Sequence, residues 1–129
     1  MTTPIKLISS IPGAPKAVGP YSPAARVGDL LFLSGQIGLN PESNLLAGEA
    51  LNEQVTQALI NAKAILTSQG LNFSNVVKTS LFLTTMADFQ EVNKIYAEHF
   101  GEHKPARSTF AVAGLPLGAK FEIEIIAHF

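Results

Sequence analysis

Residues 51–84, LNEQVTQALINAKAILTSQGLNFSNVVKTSLFLT, decide the fold because the spacing of apolar side chains changes within them. The first half predicts an amphipathic helix of about five turns, with Gly70 as a left-handed cap and Asn61 among the polar residues of the outer side. Its apolar stripe consists of Leu51, Val55, Ala58, Leu59, Ala62, Ile65 and Leu66. Val76 to Thr84 is apolar and β-branched, which predicts a strand after the helix.

Further elements of both kinds flank this stretch. Ala87 to Phe100 carries apolar residues at three- and four-residue steps, which predicts a second helix. On the N-terminal side, Leu30 to Leu33 is a continuous apolar run, typical of a strand that is buried on both faces. Five of the eight prolines lie in the first 23 residues, which favours an irregular or extended lead-in over a helix.

The last third of the chain alternates with the period of a strand. Arg107 and Thr109 share one face of the first alternating segment, and we expect that face to point away from the helices. Glu122 and Glu124 share one face of the C-terminal strand, opposite an apolar face that includes Phe121. The order of strand, strand, helix, strand, helix, strand, strand predicts an α+β fold, a mixed sheet with both helices on one face.

The composition predicts one domain, residues 1–129, that associates with copies of itself. Apolar residues make up 47% of the chain and charged residues 15%, whereas soluble domains usually contain about 25% charged residues. Because two helices cover only one face of such a sheet, the other face would expose a larger apolar patch than soluble monomers tolerate. We therefore expect a homo-oligomer.

Charge and cysteine content exclude several classes of function. Nine basic and ten acidic residues leave a net charge of −1, so we expect neither a nucleic-acid partner nor an anionic membrane. Without cysteine, the chain has no disulfide framework, thiol nucleophile or Cys-ligated metal. The sequence shows no pattern typical of a signal peptide or a spanning helix, and we expect a cytoplasmic protein.

Three charged residues of the last third are candidates for chemistry. A lone arginine is more often a surface or salt-bridge residue, but the small neighbours of Arg107 leave room for its planar fork to bind a carboxylate or phosphate. Glu122 and Glu124 have three possible roles. They belong to a solvated strand face, they pair with Arg107, or one of the two carboxylates activates a water beside a bound substrate. Alternation alone does not decide which glutamate would do so.

Other residues carry weaker signals. Gly35 belongs to a glycine-containing turn that matches no nucleotide-binding loop, and Tyr21 lies in a loop flanked by prolines, where it packs or offers its phenol to a ligand. His99 and His103 are four residues apart, but Gly101 between them ends the predicted helix. We expect no metal site.

Blocks of sequence between residues 19 and 124 together point to one family. They are Gly19-Pro20-Tyr21-Ser22, Leu33-Ser34-Gly35-Gln36-Ile37 with Asn40-Pro41, Val77-Lys78-Thr79, Asp88-Phe89 with Val92-Asn93 and Tyr96, Pro105-Ala106-Arg107-Ser108, Leu115-Pro116, and Glu122-Ile123-Glu124. On these blocks the chain resembles the RidA (YjgF-like) family of enamine/imine deaminases.

The resemblance implies a chorismate-mutase-like α+β fold, assembled as a homotrimer with active sites between subunits. It implies hydrolysis of reactive enamine/imine intermediates (2-aminoacrylate/2-iminopropanoate and 2-iminobutanoate) to 2-keto acids and ammonia, with no cofactor or metal. In this family the imines arise from pyridoxal-phosphate enzymes that act on serine and threonine.

The resemblance also implies roles for individual residues. Arg107 would bind the substrate carboxylate, and Glu122 would hold the attacking water and assist its proton transfers. The other pocket residues that it implies are Tyr21 in a closing loop, Ser34 and Gly35 in the wall, Asn93 as a support, and the backbone of Thr109 against the imine nitrogen. Many bacterial members carry cysteine at the position of Thr109, so regulation through a thiol at this position is excluded here.

Two other functions stay open at this point. Some members of the family are described as endoribonucleases or translation inhibitors, although the balanced charge and the 8% aromatic content argue against general RNA affinity. The other open function is that of a non-catalytic trimer, which uses Arg107 only to hold carboxylate metabolites. The presence of both Arg107 and Glu122 favours the enzyme.

Overall fold

In a computed structural model that describes residues 3–129, six strands form one mixed sheet and two helices pack against one of its faces. The elements are β1 (Ile5–Ile8), β2 (Ala24–Val27), β3 (Leu30–Ile37), α1 (Leu51–Ser68), β4 (Val76–Leu83), α2 (Phe89–Phe100), β5 (Ala106–Ala111) and β6 (Phe121–His128). Across the sheet the strand order is β1-β2-β3-β6-β4-β5; β4 and β5 pair parallel, and the other neighbouring strands pair antiparallel. The predicted α+β class is confirmed.

The predicted number of strands before the first helix is wrong. Ile5–Ile8 lies in the proline-rich lead-in and forms β1, which pairs with β2, so three strands rather than two precede α1. The strand is only four residues long and sits at the edge of the sheet, where prolines beside it break no ladder.

Helix α1 packs its predicted apolar stripe against the sheet, and Gly70 follows it with a φ of +74°, as expected of a left-handed cap. Asn61, however, is fully buried instead of facing outward. Its Nδ2 donates to the carbonyls of Ile37 (3.2 Å) and Leu39 (2.8 Å), where β3 ends. Buried carbonyls need a donor, and this asparagine joins α1 to the end of β3.

The sheet face opposite the helices is uncovered in a single chain, and we call it the open face. Leu30 and Phe32 of β3 are each 40% exposed there, so the expectation that this strand is buried on both faces is wrong for the isolated chain. Phe110 is 52% exposed and stacks on Phe82. Ile126 of β6 lies on the same face, because it pairs with Phe32. The open face is therefore largely apolar.

The predicted orientation of β5 is also wrong. In the parallel register Arg107 pairs with Thr79, which is fully buried and hydrogen-bonds Tyr96 of α2, so Arg107 points toward the helices. Phe110, on the other face of the strand, points to the open face. The two faces of an alternating strand are clear from sequence, but which of them is covered depends on its partner strand.

Among residues 3–129, no helix combines the length and the apolar character needed to cross a bilayer.

Gly38 provides a test of the junction between β3 and α1. A Cβ added there would lie 2.7 Å from Gln54 Cα, a backbone atom that cannot rotate away. Gly38→Ala should lower the free energy of unfolding by about 1–3 kcal/mol, as overpacking does. Gly114→Ala is the matched control, since a Cβ at Gly114 meets no atom within 4 Å. Urea unfolding at equal protein concentration measures both; equal midpoints would contradict the packing described.

Candidate active site

Five of the expected site residues line two cavities on the surface of the chain, whereas Ser34 and Thr109 line neither. A cavity of about 280 Å³, the carboxylate pocket, is lined by Tyr21, Gly35 and Glu122. A second cavity of about 310 Å³, the arginine pocket, is lined by Asn93 and Arg107. Each is large enough for a small metabolite rather than a polymer.

Pairing between β3 and β6 positions the carboxylate of Glu122. Glu122 lies opposite Ile37, and the register between the two strands shifts between Leu33 and Gln36. Gly35 falls within this irregular stretch, and a Cβ there would lie 2.7 Å from the carboxyl carbon of Glu122. A glycine at this position therefore leaves the space that the carboxyl group occupies.

The loop that carries Tyr21 is tied to the same strand. The Ser34 hydroxyl donates to the Ser22 carbonyl at 2.6 Å, and the Ser34 backbone N–H donates to the Pro23 carbonyl at 2.9 Å. The Tyr21 hydroxyl accepts from the Val18 backbone N–H at 3.3 Å, while the tyrosine stays 48% exposed. Ser34 thus acts on the carboxylate pocket through the loop that it holds.

The environment of Glu122 favours its neutral form more than water does. Burial raises the pKa of Glu122, and the negative charge of Glu124 raises it further. Both glutamates lie on the open face, because Glu122 pairs with Phe82 and Glu124 with Ser80 on β4. Glu124 is the more exposed of the two.

The guanidinium of Arg107 lies over two aromatic side chains of α2. Its central carbon is 5.1 Å from the ring centroid of Tyr96 and 5.6 Å from that of Phe89. The Tyr96 hydroxyl forms a 2.9 Å hydrogen bond with Thr79 Oγ1. Burial raises the pKa of Tyr96, although the Thr79 hydrogen bond and the Arg107 charge oppose the shift. Tyr96 is therefore a neutral phenol at physiological pH.

Two buried polar atoms on the helix side have no hydrogen-bond partner within the described chain. They are Asn93 Oδ1 and Thr109 Oγ1. Asn93 lines the arginine pocket, and Thr109 follows Arg107 by two residues on the same strand face. An unpaired buried polar atom costs about 1–3 kcal/mol, and such atoms are typical of places that a ligand or water completes.

The structure brings the candidates together in two groups rather than one. Tyr21, Gly35 and Glu122 share the carboxylate pocket, and Asn93 and Arg107 share the arginine pocket. Since Glu122 is on the open face and Arg107 on the helix face, the expectation that they share a face is wrong. The sheet separates them within one chain.

Sequence reasoning did not assign Phe89, Tyr96 or His103 to the site, although all three lie in or beside the arginine pocket. The signal was present: Phe89 and Tyr96 belong to the apolar stripe of α2 and are seven residues apart, which places them on one helix face. His103 closes the pocket from the loop after α2, where its Nε2 lies 2.8 Å from the Val76 carbonyl oxygen.

The two histidines that were considered as metal ligands have backbone partners. His99 Nδ1 lies 3.0 Å from the Ile95 carbonyl oxygen, one turn earlier in α2, and His103 is held against β4. Across residues 3–129, no three His, Asp or Glu side chains are grouped closely enough to hold a metal ion.

Comparison with known proteins links this geometry to one family. The family model described as Endoribonuclease L-PSP matches residues 12–129. The chain is 42% identical to human 2-iminobutanoate/2-iminopropanoate deaminase over 127 residues, 98% of this chain and 93% of that protein. It is 48% identical to Reactive Intermediate Deaminase A, chloroplastic, of Arabidopsis thaliana over 95% of this chain, but spans only 65% of that protein's length. The crystal structure of E. coli TdcF with bound serine is similar at a TM-score of 0.90 and 36% identity, covering 96% of this chain and 99% of that one.

The pKa of Glu122 is directly measurable. A carbon-detected NMR titration should show its carboxyl group titrating above the ordinary value of about 4.3. Glu124→Gln should lower the pKa of Glu122, because removal of a like charge stabilises the ionised form. Glu98→Gln, on an exposed position of α2, should leave it unchanged. A Glu122 pKa at or below the ordinary value would contradict the described environment.

Proposed function

Because this chain belongs to the Endoribonuclease L-PSP family, which includes the RidA (YjgF-like) proteins, we propose that it hydrolyses reactive enamine/imine intermediates to 2-keto acids and ammonia. The family membership predicted from the sequence blocks is confirmed. The proposal rests on the alignment of this chain, over nearly its whole length, with a deaminase of this type. The arginine pocket and the carboxylate pocket supply the charged groups that such a reaction needs.

The complete site forms between subunits of a homotrimer. The apolar open face of one chain needs a cover, and a neighbouring copy supplies one. Arg107 and Glu122 of a single chain lie on opposite faces of its sheet, so the two side chains of one chain cannot both contact the same small molecule. Docking the arginine pocket of one subunit beside the carboxylate pocket of the next makes one site from the two halves.

Arg107 binds the substrate carboxylate. A guanidinium presents parallel N–H donors that match the two oxygens of a carboxylate, and every 2-imino acid and 2-keto acid carries one. TdcF, the similar protein solved with bound serine, also holds a molecule with a carboxylate. Bidentate binding fixes the imine carbon in one orientation, which supplies much of the catalysis for an electrophile that is already reactive.

Glu122 serves the attacking water. Its carboxylate accepts a proton as the water oxygen bonds to the imine carbon, which gives a tetrahedral amino alcohol. The imine enters protonated on nitrogen, so this adduct is neutral. The same carboxyl group then returns its proton to the nitrogen, and the C–N bond breaks as the hydroxyl proton of the adduct passes to the carboxylate, which leaves the 2-keto acid and ammonia. The raised pKa of Glu122 suits this exchange, since the group must both take and give a proton.

The other residues shape the site. Tyr21 closes it from a loop that Ser34 anchors, and Gly35 leaves room for the Glu122 carboxyl group. Asn93 and Thr109 supply unpaired polar groups near the arginine, with the Thr109 backbone toward the imine nitrogen. The reaction as written needs no cofactor, and a cytoplasmic location stays a prediction.

An assay that couples a threonine dehydratase to the purified protein tests the function. The dehydratase releases the four-carbon imine, and its disappearance should become faster in proportion to added protein. A rate equal to the uncatalysed one would exclude deaminase activity and favour a trimer that only binds carboxylate metabolites. RNA cleavage that survives Arg107→Lys and Glu122→Gln would favour the ribonuclease that the family description names.

Light scattering tests the assembly. The purified protein should have a mass about three times 13.7 kDa, because the open face is buried between copies. Dissociation in dilute denaturant should coincide with loss of activity. A fully active monomer would contradict both the shared site and the covered face.

Substitution of the arginine tests its role in binding. Arg107→Lys keeps the positive charge but loses the planar fork, so deaminase activity should be nearly lost while the trimer persists. Arg26→Lys, the same change at the other arginine of the chain, which lines neither pocket, is the control and should leave activity unchanged. Turnover of Arg107→Lys close to that of the unaltered protein would show that Arg107 does not hold the carboxylate.

Two measurements on variants of each glutamate, imine kinetics and product binding, distinguish the roles of Glu122 and Glu124. Glu122→Gln should bind a 2-keto acid about as well as the unaltered protein, because Arg107 remains, yet turn over imine far more slowly. Glu124→Gln should keep turnover at neutral pH and affect stability or assembly instead, since its carboxylate lies about 6.8 Å further along the strand. The assignment is wrong if Glu124→Gln abolishes turnover in an intact trimer and Glu122→Gln does not.

A further inference from the structure

Aromatic rings, rather than carboxylates, surround the Arg107 guanidinium in the part of the chain that the structure describes. The Tyr96 and Phe89 ring centroids lie 5.1 Å and 5.6 Å from its central carbon, within the distance of about 6 Å at which a cation is attracted to a ring face. Both rings come from one face of α2, two helical turns apart.

The rings are themselves held in place. Tyr96 stacks on Phe100 at 4.3 Å between centroids, and its hydroxyl is paired with Thr79 on the strand beside Arg107. Phe89 packs against the apolar core at the start of α2. The aromatic pair is therefore part of the fold rather than of a mobile loop.

We propose that Phe89 and Tyr96 are positioning residues that fix the Arg107 guanidinium while leaving its N–H donors free for a substrate carboxylate. This inference rests on the proposed function. Attraction to a ring face does not require an N–H donor, whereas an acidic partner would occupy the donors and compete with the substrate. An arginine without either partner would lose side-chain freedom only on binding, at a cost to affinity.

The experiment compares Phe89→Leu and Tyr96→Leu with Phe73→Leu. Phe73 is the matched control, because it is a partly buried phenylalanine that packs on the same core, with its ring tilted against that of Phe100. Tyr96→Phe keeps the ring and should restore behaviour close to that of the unaltered protein, so the test does not depend on the folding of Tyr96→Leu. Each variant is first checked for the same oligomeric mass.

The first measurement needs no substrate. The chain has two arginines, Arg26 and Arg107, so a nitrogen-15 spectrum contains two Nε–H signals, which Arg107→Lys assigns. The aromatic rings should shift the Arg107 proton from its usual position, and Phe89→Leu and Tyr96→Leu should each reduce that shift. Phe73→Leu and Tyr96→Phe should leave it nearly unchanged.

The second measurement is binding of 2-oxobutanoate by calorimetry, followed by imine kinetics. Loss of one ring should weaken binding about 2- to 30-fold and raise KM with little change in kcat, since the carboxylate is held in both the ground state and the transition state. A change in kcat with constant KM, or Arg107 shifts and affinities equal to those of Phe73→Leu, would overturn the proposal. If the unaltered protein does not hydrolyse imines, the proposed function fails, and the Arg107 signal still decides whether the rings position the guanidinium.

Discussion

Successive side chains of a strand point to opposite faces of the sheet, and helices cover only one of those faces in this protein. That constraint separates Arg107, which faces α2, from Glu122, which faces the open side. It also leaves phenylalanine and leucine side chains uncovered on the face that carries Glu122. In the proposed trimer, association of identical chains would both bury this surface and bring the two charged groups together.

The two pockets differ in a way that suits their proposed tasks. The arginine pocket holds a permanent cation against aromatic rings, which in our proposal leave its N–H donors free for a carboxylate. The carboxylate pocket holds a half-buried acid whose pKa is raised by burial and by a neighbouring carboxylate. A fixed charge suits binding of a fixed anion, and a group with a raised pKa suits proton exchange with water.

Hydrophobic periodicity predicted both helices, their buried faces and the inner face of β6, because burial of an apolar stripe depends on local spacing. Periodicity gave the wrong answer where the burial of a residue depends on the neighbouring strand or helix. The four residues of β1 carry too few side chains to show a period, and Asn61 is buried because β3 ends beside it. The face of β5 that meets the helices is the opposite of the one expected, because parallel pairing with β4 sets which face points inward. Residue type and alternation made Arg107, Glu122 and Glu124 candidates, and the resemblance chose Glu122 and gave roles to Tyr21, Gly35 and Asn93. Spacing alone could not have shown that these residues belong to two pockets.

Complementation between two inactive variants shows directly whether the site is shared between subunits. Arg107→Lys and Glu122→Gln proteins are mixed, unfolded and refolded together, and imine hydrolysis is measured against each variant refolded alone. In random trimers about a quarter of the sites would combine an intact Arg107 from one chain with an intact Glu122 from its neighbour. If the site is shared, the mixture should regain about that fraction of the unaltered activity, whereas a mixture as inactive as its two parents would show that each chain carries its own site.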